Sequence, residues 1–174
     1  MPPWTTLITF NEITQHSEDM STKNRFRTVE DKVRSIVASS LPDFKYLFMD
    51  YTQANVELDK LSSPHVIYIL PPSGTLLLRH DKFRDKPRTQ LWFVCPTEFD
   101  FDGAVNDCLI ESLKRAAMKF FSGFNNSGLF VPLEGALPYQ VAYDAFDSNV
   151  TGICFELEME EKDGVVLCNG ELMI

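Results

Sequence analysis

Ile153-Cys154-Phe155-Glu156-Leu157-Glu158-Met159-Glu160 decides the fold class. Apolar side chains at 153, 155, 157 and 159 alternate with a thiol and three carboxylates. Period-2 alternation is the mark of a strand whose one sheet face is buried while the other is wet, here an acidic face. A half-buried sheet needs a cover, and one is legible upstream. Val105, Cys108, Leu109, Ser112, Leu113, Ala116, Ala117, Phe120 and Phe124 recur at helical spacing. Asn106, Asp107, Glu111, Lys114, Arg115 and Lys119 fall on the opposite side, with Glu111 set to pair with Arg115. A single apolar stripe packs on a sheet rather than being surrounded, and Gly123 is placed as the C-cap.

Working outward, His65-Val66-Ile67-Tyr68-Ile69-Leu70 reads as a strand from its β-branched content, and Tyr46–Met49 as another. Pro71-Pro72-Ser73-Gly74 is expected to turn the chain so that Thr75–Arg79 returns on the first of these, with Gln90–Cys95 completing a three-strand meander. The basic stretch 79–88 intervenes as a loop. After the alternating strand, Asp163-Gly164 is a two-residue hairpin signal that should bring Val165–Cys168 back. Two helices open the chain. Thr9-Phe10-Asn11-Glu12 has capping-box spacing, with Phe10, Ile13 and Met20 on one face. Thr28 is a second N-cap, followed by a stripe of Val29, Val33, Ile36, Val37 and Leu41 that Pro42 stops. The segment Thr52–Leu61 fits a helical turn through Ala54, Leu58 and Leu61 or a strand through Ala54, Val56 and Leu58; its acids and amides tip it to a short helix. Strands cluster instead of alternating with helices, which predicts α+β: an antiparallel or mixed sheet with the long amphipathic helix and the N-terminal helices packed on it. A chain of 174 residues suits one domain, helical over about 1–42 and carrying the sheet and long helix over 45–174.

Composition excludes several classes. Hydrophobic residues are 44% and charged residues 24%, near the globular average, so a disordered or disulfide-knotted chain is not expected. No run approaches the roughly 20 apolar residues of a membrane helix, and Met1–Phe10 lacks a basic region before an apolar core. Cys95, Cys108, Cys154 and Cys168 form no closely spaced pair; the first three fall in apolar patterns, as small buried thiols do. Asn125-Asn126-Ser127 and Asn149-Val150-Thr151 match the glycosylation sequon, which without a secretion signal is read as chance.

Net charge is −9 and unevenly spread: residues 134–174 hold nine acids and one base, net −8, and residues 1–133 only −1. Arg79-His80-Asp81-Lys82-Phe83-Arg84-Asp85-Lys86-Pro87-Arg88 is locally +3. Specific nucleic-acid recognition is not expected, since phosphate binding draws on a dominant basic surface. Two oppositely charged stretches on one chain can instead meet between copies. The candidate inter-subunit residues are Arg79, Lys82, Phe83, Arg84 and Arg88 against Glu156, Glu158 and Glu160, with Arg84 and Arg88 as anchors.

Catalytic patterns fail on inspection. Glu98-Phe99-Asp100-Phe101-Asp102-Gly103 imitates the start of a calcium loop but has Leu109 where a bidentate Glu is needed. Asp102 is better placed near the N-terminus of the long helix, where a carboxylate satisfies free amides. Gly123-Phe124-Asn125-Asn126-Ser127-Gly128 has phosphate-loop glycine spacing but leaves a helix rather than entering one. His16, His65 and His80 are scattered, with no nucleophile beside them. No catalytic residue, metal ligand or cofactor is assigned. One enzymatic alternative is a metal-dependent hydrolase using Asp100, Asp102 and Asp107; the other alternative is a cytosolic binding or adaptor protein.

Phe48-Met49-Asp50-Tyr51, the run His65–Gly74, Glu98–Gly103 leading into the long helix, Asn126-Ser127-Gly128-Leu129-Phe130 and Asn149-Val150-Thr151-Gly152 resemble proteins encoded with tailed-phage and prophage structural genes. In element order the chain is similar to tail terminator, or tail-completion, proteins of head–tail joining. That resemblance implies a small non-enzymatic α+β subunit of the virion, assembled in the host cytoplasm. It also implies self-association into a ring, often a hexamer, that contacts tail-tube or connector proteins.

Overall fold

The computed structural model describes residues 28–57, 62–79, 82–97, 103–143, 149–162, 165–168 and 171–173. The element order is α1 (Val29–Ser40), β1 (Lys45–Met49), α2 (Tyr51–Glu57), β2 (His65–Ile69), β3 (Ser73–Arg79), β4 (Lys82–Pro96), α3 (Gly103–Asn126), β5 (Tyr139–Ala142), β6 (Val150–Glu158), β7 (Val165–Cys168) and β8 (Glu171–Met173). The fold is α+β, with all eight described strands in one mixed sheet. The helix expected near Phe10–Met20 lies outside the described residues, as do Glu98–Asp102, His16 and His80.

Strand β4 is the spine. Its residues 88–96 pair with β6 on one side while 91–94 pair with β2 on the other. Beyond β2 lies β1, the one parallel partner among the described strands, and beyond β6 lies β5. Nearer its start, β4 pairs with β3 through 82–88 and with β7 through Lys82 and Phe83. Arg88 faces Ser73 on one side and Glu158 on the other, so β3 lies on the β2 side of β4. Each flank of β4 is thus two successive segments running the same way, β2 then β3, and β6 then β7.

That arrangement corrects three expectations. Residues 82–88 of the basic stretch are strand rather than loop, and Arg79 ends the strand before it. The segment Pro71–Gly74 does not reverse the chain, and β3 does not pair with β2, because β1 and β4 already occupy both edges of β2. Nor does β7 come back on β6. The chain stays beside β4 through Met159 N–H to Pro87 O at 3.0 Å and Glu161 N–H to Asp85 O at 3.1 Å, and β7 continues in that direction to hairpin with β8.

One sheet face carries the main core. There α1 contributes Val33, Ile36 and Val37, and α3 contributes Leu113, Ala117, Phe120 and Phe124, packed on Val66, Tyr68, Leu91, Phe93, Ile153, Phe155 and Leu157. Aromatic rings interlock there: Phe93 meets Phe120 and Phe155 edge-on at 5.8 and 5.9 Å, and Phe124 stacks on Phe130 at 4.6 Å. The other face is covered in part by α2, whose Ala54 is buried with Met49, Ile67, Ile69, Trp92, Val94 and Cys154. Buried on both faces, β2 reads as a continuous apolar run.

The helix caps are those expected at the start of α1, where Thr28 Oγ1 accepts from Asp31 N–H at 3.1 Å. In α3 the stripe is right from Leu113 onward but wrong in its first turns. Val105 and Cys108 are exposed, whereas Asn106 and Ile110 are buried, since only these stay in line with 113 and 117 at 3.6 residues per turn. Gly123 is not the cap either. The helix runs on to Asn126, and a Cβ at 123 would stand 3.2 Å from Ser40 Cβ and closer still to its hydroxyl, so the missing side chain lets α3 approach the end of α1.

Candidate functional site

Alternation along β4 puts Arg84, Lys86, Arg88 and Gln90 on the face shared with Trp92, and β6 puts Glu156 and Glu158 there too. The two charged stretches meet inside one subunit. Arg84 reaches Glu160 at 3.2 Å, Lys86 reaches Glu158 at 2.9 Å and Arg88 reaches Glu156 at 3.6 Å. Gln90 extends the series to Glu156 at 3.4 Å, and Trp92 Nε1–H donates to Gln90 Oε1 at 3.3 Å. The Glu158 partner raises the Lys86 ammonium above its ordinary value, by hydrogen bond first and charge second, and Lys86 lowers Glu158 in return. Arg84 and Arg88, the anchors expected between copies, thus each have a carboxylate partner in their own chain. Half-buried at Arg84 and exposed at Arg88, the pairs set strand register more than they add stability. Lys86, absent from the sequence-based set, is a full member of the ladder. Arg79 ends β3 and Lys82 begins β4, while Phe83 is half-buried opposite Leu78 and Val165.

A different pair lies where the ladder meets the main core. Lys32 Nζ donates to Glu161 Oε1 at 2.7 Å with both side chains only 10% exposed, and Glu161 Oε2 accepts from Asp85 N–H at 3.1 Å. The Lys32 ammonium also stands 6.0 Å over the Phe130 ring. With both carboxylate oxygens engaged, this pair ties α1, β4 and the segment after β6 together. Burial, then the Glu161 charge, raises the neighbouring Asp85 carboxyl above its ordinary value.

His65, Cys154 and Asp107 are the described groups that bear on nucleophile or metal chemistry. His65 is buried and its Nδ1–H donates to Ser63 O at 2.6 Å; burial lowers its imidazole below the ordinary 6.5. The Cys154 thiol is pushed up to about 12, chiefly by burial and secondly by Glu156, and so stays protonated. Asp107 is exposed on α3 while Asp100 and Asp102 lie outside the described residues. Among the described residues no three His, Cys, Asp or Glu side chains converge as a metal site, and no helix is long and apolar enough to cross a membrane.

What does stand out is exposed apolar surface at strand edges. On β3, Leu76 is 67% and Leu78 69% exposed. Leu77 and Leu78 line an open groove of about 260 Å³ with Arg84 and Glu160. On β5, Tyr139 is 44% and Val141 37% exposed, with Lys114 Nζ 5.2 Å over the Tyr139 ring. Sequence reading missed both, because a short leucine run between turn signals looks the same whether a neighbour covers it or not. Compared with known proteins, the chain matches no family model and no curated sequence.

Proposed function

We propose that this protein is a ring-forming structural subunit of a phage or prophage virion, acting as a tail terminator or head–tail joining component without catalysis. The observation that carries the reading is a part of the sheet that no described helix covers. Strands β3, β4, β7 and β8 form an arm on which Leu76 and Leu78 stay exposed. Monomeric proteins guard their strand edges with charge, proline or a covering element; Ser73–Leu78 is six uncharged residues without proline, and among the described strands it pairs with β4 alone. A ring is built from heterologous contacts, in which one surface of each subunit meets a different surface of the next. An acidic ring of this kind would also repel passing DNA rather than hold it, as a conduit requires.

Mass photometry and negative-stain electron microscopy of the purified full-length chain test the reading. Closed particles of uniform subunit number are the expected result, and mass spectrometry of purified phage particles should find the chain among the virion proteins. A monomer at the highest soluble concentration, or absence from virions, overturns it.

A further inference from the structure

We infer that β3 of one subunit pairs edge-to-edge with β5 of the next, in antiparallel sense, so that the sheet runs on from copy to copy. The inference rests on the ring reading above and adds the joint by which it closes.

Three observations converge on this pair of edges. First, position: β3 flanks β4 on the β2 side, whereas β5 lies beyond β6 on the opposite side, and each pairs with a single described strand. Second, direction: β3 and β6 both run antiparallel to β4, and β5 runs antiparallel to β6, so β3 and β5 run oppositely. A neighbour set alongside with its helices on the same face therefore presents β5 antiparallel to β3, the better-bonded arrangement. Third, face: Leu76 and Leu78 stand opposite Asp85 and Phe83, on the side of β4 that carries Leu91 and Phe93. Tyr139 and Val141 stand opposite Phe155 and Ile153, on that same helix-bearing side. Pairing Leu76 with Val141 and Leu78 with Tyr139 joins the two apolar strips into one, using aromatic–aliphatic cross-strand contacts.

The remaining edges do not offer this match. Strand β1 begins with Lys45 and is flanked by Asp43 and Asp50, and β8 carries Glu171, whereas β5 and residues 73–78 of β3 are uncharged. Because β3 meets β4 before the stretch that β6 and β5 accompany, the next copy sits displaced along the strand direction. Closing such a staggered sheet requires strands tilted to the ring axis, as in a barrel.

Cysteine cross-linking tests the pairing. Leu76→Cys and Val141→Cys would be made in separate full-length chains, each with Cys108→Ser and Cys168→Ser, then mixed and oxidised. A disulfide-linked dimer formed by the mixture and by neither variant alone is the expected result. A dimer of Leu76→Cys with itself would mean β3–β3 pairing and overturns the inference. Particles that still assemble, with no cross-link in the mixture, overturn the inference but leave the ring reading standing; a chain that never assembles removes both. As a second measure, Leu78→Lys places a charge on an exposed site and should leave circular dichroism and Tm unchanged while particle mass drops to one chain. Unchanged particle mass in that variant also overturns the inference.

Discussion

The two halves of β4 differ in what lies on them. From Thr89 to Val94 its side chains are mostly buried between α1 and α3 on one face and α2 on the other, and the residues are Leu91, Trp92, Phe93 and Val94. From Lys82 to Arg88 the same strand, in unbroken register, alternates bases with Phe83, Asp85 and Pro87. Backbone pairing is equally regular in both. What separates them is coverage by the described helices, and the sequence of each half reports that coverage rather than its conformation.

The contrast can be broken most severely at the junction. Lys32→Met should destabilise the fold by about 3–5 kcal/mol, because Glu161 would keep its buried charge without a partner; urea denaturation reads this as a lower midpoint with unchanged slope. In the covered half, Gly152→Ala forces a Cβ to 2.8 Å from Phe93 O and 2.7 Å from Val94 Cγ1. With backbone among the obstructing atoms, the cost should be about 1–3 kcal/mol, measured the same way. His65 sharpens the comparison through pH. Its folded-state pKa is lowered, so its contribution is present above the unfolded value of 6.5 and is lost as pH falls toward the folded value. Tm should therefore decline as the pH drops below 6.5, and His65→Gln should flatten that part of the profile. The arm should respond least. Arg84→Glu breaks one half-exposed pair and should cost no more than about 1 kcal/mol, while Arg88→Glu, at the most exposed rung, should leave Tm within error.

Much of the covered half was legible. The alternation at 153–159 and the stripe from Leu113 to Phe124 carry periods that burial imposes, and the unbroken run 65–70 marks a strand buried on both faces. The arm was not, because its alternation is of charged with mixed residues, and charge runs look like loops when no apolar face accompanies them. Two signals were present and passed over. Extending the period from Met159 places Glu161 on the buried side, and Lys32 falls three residues after Val29 in the α1 stripe; together they name the buried ion pair. Likewise Asn169-Gly170, a strong hairpin dipeptide, lies between β7 and β8, whereas Asp163-Gly164 lies where β6 leads on to β7 without reversing. Which edges meet another copy has no period at all, since it depends on strand order across the whole sheet.

A single strand of 15 residues, about 50 Å long, joins arm to body. Tension applied to the arm along that strand is shared at once by the hydrogen bonds to β2 and β6, which resist sliding together instead of yielding one after another. A subunit held by its arm would thus transmit a pull straight into its best-packed layer, behaving as a tie rod more than as a hinge.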